Sequence, residues 1–136
     1  MSDVLVDTSI WSLALRRKTG GQDDIIQELE QLIQETRVRI IGPIRQEILS
    51  GIKEQKQFEL LKIRLRAFPD LNLTEEIFER AAEIFNSCRK AGIQRSNTDF
   101  LICAAAEHND LAVFTIDQDF RRYQKHSKFI LHEVRK

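Results

Sequence analysis

The sequence contains no hydrophobic run long enough to cross a bilayer. Its longest apolar segment covers residues 100–106, whereas a membrane-spanning helix needs about 20 such residues. The first residues also lack the basic start and the apolar stretch of a signal peptide. The sequence therefore predicts a cytoplasmic protein with no membrane partner.

The residue patterns of several enzyme classes are also missing. Cys88 and Cys103 are the only two cysteines, and their separation fits no metal or redox motif. Gly20-Gly21 is not followed by the Lys and Ser or Thr of a phosphate-binding loop. No His-Glu-x-x-His or Gly-x-Ser-x-Gly motif occurs. These absences exclude Walker-type nucleotide, zinc-hydrolase and serine-hydrolase sites.

The chain has no net charge, because 21 basic residues balance 21 acidic ones. It therefore lacks the overall positive field of an indiscriminate nucleic-acid binder. The charges are unevenly distributed: residues 23–35 are acidic, whereas Arg16-Arg17-Lys18, residues 53–66 and residues 121–136 are rich in bases. Each basic segment is either a solvated helix face or a patch for a polyanion, and the sequence leaves both open.

Short apolar segments alternate with segments of helical periodicity along the 136 residues. Such alternation is typical of a parallel sheet covered by helices on both faces. We therefore expect an α/β protein, a three-layer α/β/α sandwich that forms a single domain over residues 1–136. The predicted strands cover residues 4–6, 38–41, 71–73, 112–115 and 129–131. The predicted helices cover residues 8–17, 23–33, 43–52, 58–68, 75–90, 100–106 and 117–123.

Three of the predicted helices carry residues that we expect in the core. Residues 100–106 are apolar on all sides, which indicates a central helix surrounded by other elements. Trp11 in the first helix is expected in the core. In the helix over residues 75–90 one apolar stripe is expected to face inward. Its members are Ile77, Phe78, Ala81, Ala82, Phe85 and Cys88.

Four acidic residues follow predicted strands or lie early in helices. Asp7 ends the first strand, and Asp117 follows the strand that ends at Thr115. Glu47 lies in the first turns of the helix after the second strand, and Asp99 opens the central helix. Ligands of parallel sheets bind at the carboxyl ends of the strands. We therefore expect these four side chains to reach one edge of the sheet.

Each acid alone also has a structural explanation. Asp7 and Asp117 suit helix N-caps, Asp99 suits a first turn, and Glu47 suits an exposed helix position. Together, however, carboxylates about 5 Å apart repel each other by roughly 3 kcal/mol per pair. A divalent cation removes this repulsion, and oxygen ligands without Cys or His favour Mg²⁺ or Mn²⁺. Because Mg²⁺ retains bound waters, such a site suits phosphate chemistry.

Four segments resemble, in order, the motifs of the PIN-domain ribonucleases. The overlap covers nearly the whole chain, and the compact length is most similar to that of the VapC toxins of toxin-antitoxin modules. The segments are Leu5-Val6-Asp7-Thr8-Ser9-Ile10-Trp11, Pro43-Ile44-Arg45-Gln46-Glu47-Ile48-Leu49-Ser50-Gly51, Asn97-Thr98-Asp99-Phe100-Leu101-Ile102-Cys103-Ala104-Ala105 and Phe114-Thr115-Ile116-Asp117-Gln118-Asp119-Phe120.

The resemblance implies a parallel sheet with flanking helices and a metal-dependent endoribonuclease. The implied metal-binding and catalytic residues are Asp7, Glu47, Asp99 and Asp117. Thr8 or Thr115 would support them, and Asp119 is a weaker candidate. The implied cofactor is Mg²⁺ or Mn²⁺, which would activate and orient water for attack on a phosphodiester.

The resemblance also implies three partners: an RNA substrate, a cognate antitoxin and a second copy of the chain. Arg16-Arg17-Lys18 would hold backbone phosphates. The amphipathic helices within residues 44–68 carry many apolar residues for a domain of this size, which favours a homodimer. We expect the antitoxin to add an apolar helical segment to a groove and to place a basic side chain near the acids.

Three alternatives remain open at this point. A receiver-like phospho-acceptor domain has the same architecture, but it needs paired acids at the first strand end, and Asp7 has no acidic neighbour there. A catalytically inactive PIN-fold binding module is favoured by the loss of a metal-binding acid, and none of the four is missing. A nuclease that acts on DNA is the nearest enzyme alternative.

Overall fold

A computed structural model of the chain describes residues 2–16 and 23–135. In these residues four parallel strands form one sheet in the order β2-β1-β3-β4. Val4 pairs with Val38 on one side and with Ala112 on the other, which makes β1 an inner strand. The strands are β1 Val4–Val6, β2 Val38–Arg39, β3 Ala112–Phe114 and β4 Ile130–Leu131.

Seven helices accompany the sheet in the described part of the chain, and the predicted three-layer α/β/α architecture is confirmed. The helices are α1 Thr8–Arg16, α2 Asp23–Gln34, α3 Gly42–Leu49, α4 Gln55–Leu65, α5 Glu75–Lys90, α6 Asn97–Asn109 and α7 Asp119–Tyr123. No described helix is long and apolar enough to span a membrane.

Local residue chemistry explains several helix ends. Pro43 lies in the first turn of α3, where its missing N–H costs no helical hydrogen bond. Thr74 caps α5, since its Oγ1 accepts from the Ile77 amide at 3.3 Å. After α5, Gly92 adopts φ +84, as expected for a glycine that ends a helix. Asp110 ends α6 in the left-handed conformation and turns the chain into β3.

The core is built around β1, β3 and α6. Every residue of the segment 100–106 in α6 is buried, which confirms the predicted central helix. Trp11 is also in the core, with 6% of its surface exposed, and its Nε1 donates to the Val6 carbonyl at 3.2 Å. Because the apolar packing covers the strands themselves, the polar site residues are left at the strand ends.

Residues 71–73 do not form the predicted strand. Asp70, the residue before this segment, makes an isolated parallel bridge with Ile40, and the Leu71 amide donates to the Ile40 carbonyl at 2.8 Å. Pro69 has no N–H to donate before this bridge, and Thr74 already caps α5 after it. Only a very short stretch is therefore left to pair.

The inward stripe of α5 also differs from the prediction. The buried positions are Ile77, Ala81, Ile84 and Cys88, whereas Phe78 is 51% exposed and Phe85 is half-buried.

Two helices end earlier than expected, α3 at Leu49 and α4 at Leu65, and the short α7 begins at Asp119, later than expected. Arg17 and Lys18 of the basic segment, and the pair Gly20-Gly21, lie outside the residues that the structure describes.

Candidate active site

The strand order places a topological switch point between β1 and β3. The chain passes from β1 to β2 on one side and later returns to β3 on the other side. Crevices at the carboxyl ends of strands next to such a switch are the usual ligand sites of parallel sheets. Asp7 follows β1 directly, and Thr115 follows β3 directly, so both lie at this crevice.

Asp7 is a buried carboxylate, with 6% of its surface exposed. Its Oδ2 accepts hydrogen bonds from Ser9 Oγ at 2.7 Å and from Thr115 Oγ1 at 2.8 Å. Its backbone amide donates to the Phe114 carbonyl at 2.9 Å, which continues the sheet by one residue. Both donors approach the same oxygen, so Asp7 is held in one orientation across β1 and β3.

Asp117 is positioned by the turn that follows β3. Its amide donates to Thr115 Oγ1 at 3.0 Å, and its Oδ1 accepts from the amide of Asp119 at 2.9 Å. Thr115 therefore contacts both Asp7 and Asp117, since one hydroxyl donates to the first and accepts from the second. A single side chain fixes the two acids relative to each other.

Asp99 lies in the first turn of α6, and its Oδ2 accepts from the hydroxyl of Tyr123 at 2.7 Å. The pKa of Asp99 is raised from 3.8 to about 6. Burial is the largest cause, the Tyr123 hydrogen bond opposes the shift, and the negative charges of Asp7, Asp117 and Asp119 contribute to it. These like charges act on Asp99 because the structure brings the acids to the same mouth.

Glu47 reaches the mouth from α3 and is exposed. Its Oε1 accepts from Thr8 Oγ1 at 3.1 Å, and Thr8 directly follows Asp7. The two candidate supporting threonines therefore have different partners. Thr8 contacts Glu47, and Thr115 contacts Asp7 and Asp117.

Asp119 differs from the other acids because it is paired with two arginines. Arg95 Nε donates to its Oδ2, and Arg122 Nη1 approaches its Oδ1 at 3.4 Å. The hydrogen bond from Arg95 is the main cause that lowers the pKa of Asp119. No described Lys, Arg or His forms an ion pair with Asp7, Glu47, Asp99 or Asp117.

The donor chemistry of the mouth fits a hard divalent cation. Carboxylate oxygens without a neutralising side chain are the ligands that Mg²⁺ and Mn²⁺ prefer. Among the described residues, no three Asp, Glu, His or Cys groups are already gathered closely enough to hold an ion. The acids lie at one end of the sheet, and a bound cation would have to draw their oxygens together.

Three residues of this region were missed by sequence reasoning: Ser9, Tyr123 and Arg95. Ser9 directly follows Thr8, and a hydroxyl beside an acid at a strand end is a signal that could have identified it. Tyr123 lies 24 positions from Asp99, and Arg95 lies 24 positions from Asp119. No local pattern connects such distant pairs, so only the folded chain identifies them.

Comparison with known proteins identifies the family. A family model described as PIN domain matches residues 4–126. The chain belongs to the PIN domain family. The VapC ribonuclease Mb1587 of Mycobacterium bovis is 34% identical over 121 residues, which cover 86% of this chain and 88% of that protein. This family assignment leaves no support for a receiver-like domain.

Solved structures share the PIN-domain fold. VapBC2 from Rickettsia felis, solved bound to a DNA fragment from its promoter, has a TM-score of 0.75 at 20% identity and covers 95% of this chain and 96% of that chain. VapBC-5 from Mycobacterium tuberculosis, a member of the VapBC family of toxin-antitoxin systems, has a TM-score of 0.68 at 16% identity. The match covers 97% of this chain and 100% of that chain. At these identities the likeness shows the fold.

Proposed function

We propose that this PIN-domain protein is a metal-dependent endoribonuclease and the toxin of a VapBC-type toxin-antitoxin module. The observation that carries the proposal is that Asp7, Asp99 and Asp117 lie together at the switch point, where burial and the charges of Asp7 and Asp117 raise the pKa of Asp99. The VapC ribonuclease relatives, similar over most of their length, support the same activity.

In this proposal the acids Asp7, Glu47, Asp99 and Asp117 hold Mg²⁺ or Mn²⁺. The bound ion would supply an activated water and would neutralise the charge that develops on the phosphoryl oxygens. The ligand chemistry supports this assignment, because the four side chains offer oxygen atoms and have no cationic partner among the described residues.

The chain's own residues orient these acids. Ser9 and Thr115 donate to Asp7, Thr115 also accepts from the Asp117 amide, and Tyr123 donates to Asp99. The bonds to Asp7 and Asp99 hold their carboxylates in place, so less conformational freedom is lost when phosphate arrives. Attack by water in line gives 5′-phosphate and 3′-hydroxyl ends and does not need the RNA 2′-hydroxyl.

A groove for the antitoxin lies between α1, α2 and α4. It has a volume of about 660 Å³ and is lined by Trp11, Ala14, Leu15, Ile26, Leu29, Glu30, Ile33 and Arg64. Leu15 and Ile33 are 46% and 37% exposed, although both are large apolar side chains. Such a groove suits the apolar face of an amphipathic helix. The presence of relatives in VapBC toxin-antitoxin systems supports an antitoxin as its occupant.

The direct test is cleavage of RNA by the purified chain. We expect Mg²⁺ or Mn²⁺ to support cleavage of structured RNA and a chelator to stop it. Asp7→Asn should lose most cleavage and remain folded, because apolar packing holds the fold. Asp110→Asn is the matched control, since it removes the same charge at the opposite end of β3, where Asn tolerates the left-handed backbone.

The outcome also separates the remaining alternatives. Cleavage of single-stranded DNA at the same rate as RNA would identify a DNA nuclease. Absence of metal-dependent cleavage, or full cleavage after Asp7 and Asp99 are both replaced by Asn, would overturn the proposal in favour of an inactive binding module. Sequencing of the cleavage ends in cells that express the chain would identify the RNA and the cut position.

A further inference from the structure

Two half-exposed arginines from separate segments lie beside the acidic mouth. Arg95 belongs to the loop before α6 and Arg122 to α7, and their side chains are 45% and 49% exposed. Asp119 contacts both guanidinium groups, one through each carboxylate oxygen. One carboxylate thus holds two cations side by side, which gives the pair a defined geometry instead of two independent flexible side chains.

The pair retains donors for a ligand. Arg95 uses Nε for Asp119 and Nη1 for the Gln94 carbonyl at 2.9 Å. No group in the described ranges accepts from its Nη2. Guanidinium groups bind phosphate oxygens with two parallel hydrogen bonds, and they do so best when they are already oriented. The chemistry of the pair therefore matches a phosphodiester backbone.

The backbone of Asp119 connects this pair to the acids. Its amide donates to Asp117 Oδ1 at 2.9 Å, while its carboxylate contacts the arginines. The hydrogen bond with Asp119 raises the pKa of Arg95, and the negative charge of Asp117 contributes to the same shift. A single residue therefore fixes an acid on one side and two cations on the other.

An incoming RNA strand requires such cations, because the four acids repel its phosphates and the chain has no net charge. We infer that Arg95 and Arg122 form a phosphate-binding subsite for the RNA backbone next to the scissile bond, and that Asp119 is the positioning residue that orients them. This inference rests on the proposed endoribonuclease function. In this inference Asp119 is not a metal ligand, since an ion would have to displace both guanidinium groups from its carboxylate.

The first experiment measures binding of a short single-stranded RNA in the presence of a chelator, which prevents metal-dependent cleavage. Arg95→Ala and Arg122→Ala should each weaken binding about tenfold, the loss expected for a charge-assisted hydrogen bond. Between about 50 and 200 mM salt, each should also reduce the slope of log K against log salt by about 0.7. Arg121→Ala is the matched control, because Arg121 is a neighbour on α7 whose described ion pair is with Glu133 at 3.7 Å.

The second experiment measures Mn²⁺ binding by calorimetry and RNA cleavage for Asp119→Asn. We expect unchanged Mn²⁺ affinity, a salt slope close to that of the wild type because both cations remain, and a reduced kcat because the phosphate is no longer aligned. Asp99→Asn should instead lose Mn²⁺ affinity. The contrast between these two variants distinguishes a residue that orients arginines from one that binds the metal.

Each result decides one question. Loss of Mn²⁺ binding in Asp119→Asn would overturn the positioning role, and RNA binding by Arg95→Ala and Arg122→Ala equal to that of Arg121→Ala would overturn the subsite. If the wild type neither binds Mn²⁺ nor cleaves RNA, the proposed function fails, whereas the salt-slope comparison without metal still tests the subsite.

Discussion

At the scale of single residues, the four acids of the mouth have different environments although they are chemically alike. Asp7 is buried and accepts from two hydroxyl groups, whereas Glu47 is exposed and accepts from Thr8. Asp99 accepts from the hydroxyl of Tyr123, the only tyrosine in the chain, at 2.7 Å and from Ser96 Oγ at 3.5 Å. Its burial outweighs the Tyr123 hydrogen bond, so the metal-free protein disfavours the charged form of Asp99.

We predict that Asp99→Asn changes how the metal-free protein responds to pH. The folded-state pKa of Asp99 is raised to about 6, above its ordinary value of 3.8. Between these values the unfolded chain has released the proton while the folded chain retains it, so stability falls as pH rises through this window. Asn does not ionise, so the variant does not lose stability in this pH window. In a chelator at neutral pH its Tm should therefore equal or exceed that of the wild type.

The measurement is Tm against pH for both proteins, from about pH 4 to pH 7. Carboxylates away from the mouth contribute the same slope to both, so the difference between the two curves reports Asp99 together with the acids that it interacts with. Added Mn²⁺ should raise the Tm of the wild type and leave that of Asp99→Asn unchanged, because a ligand of the folded state stabilises it. Parallel pH curves, or an equal Mn²⁺ response, would contradict the prediction.

At the scale of elements, an ionic cluster around the buried Glu28 attaches the C-terminal segment to α2. Glu28 is 5% exposed, and its Oε2 accepts from His132 Nε2 at 2.5 Å and from Arg135 Nε at 2.8 Å. Arg135 also pairs with Glu35 at the end of α2. The segment after β4 is therefore attached to α2, the helix that also forms one wall of the groove proposed for the antitoxin.

We predict that Glu28→Gln destabilises the protein by about 1–3 kcal/mol at neutral pH, because two donors lose a charged acceptor. Burial opposes ionisation of Glu28, but the hydrogen bonds from His132 and Arg135 lower its pKa below the ordinary 4.5. Its contribution is therefore present above about pH 4.5 and is lost as pH falls below that value. The variant should show a smaller loss of stability on acidification.

Urea unfolding at several pH values measures this effect. Glu30→Gln is the matched control, since Glu30 is an exposed acid two positions away on the same helix, where substitutions usually change stability by less than about 0.5 kcal/mol. Equal unfolding free energies for the two variants would show that the cluster does not stabilise the attachment of the C-terminal segment.

At the scale of the whole molecule, the apolar residues within 44–68 divide into a buried group and an exposed group. Ile44, Ile48 and Leu65 are in the core, whereas Leu60 and Ile63 on α4 are 51% and 61% exposed. Large exposed apolar side chains on one helix are typical of an interaction surface. They support the proposal that a second copy of the chain packs on α4.

We predict a homodimer in sedimentation at tens of micromolar, about the range in which modest interfaces assemble. Ile63→Lys should shift the protein to monomer because it places a charge in the interface. Phe78→Lys is the matched control, since Phe78 is an exposed apolar residue on α5 instead. A monomeric wild type would refute the dimer, and dissociation by Phe78→Lys alone would move the interface to α5.

Much of the fold was determined by the sequence itself. Val4–Val6, Ala112–Phe114 and the segment 100–106 are continuous apolar runs, which are typical of inner strands and of a helix buried on all sides. The prediction of an α/β sandwich and the assignment to the VapC-type PIN domains are both confirmed. Such local patterns predict the fold because burial of apolar side chains drives folding, and the apolar positions of each element show which of its faces is buried.

The tertiary structure alone decided the relations between distant positions. Residues 71–73 have a strand pattern but lack room to pair between Pro69 and the cap of α5. The sequence selected Asp7, Glu47, Asp99 and Asp117 as candidates, and their roles remain proposals. Only the folded chain shows that Tyr123 contacts Asp99 and that Arg95 and Arg122 both contact Asp119. The physical reason is that hydrogen bonds and charges act through space. Two partners on different elements therefore produce no pattern in the sequence that would pair them.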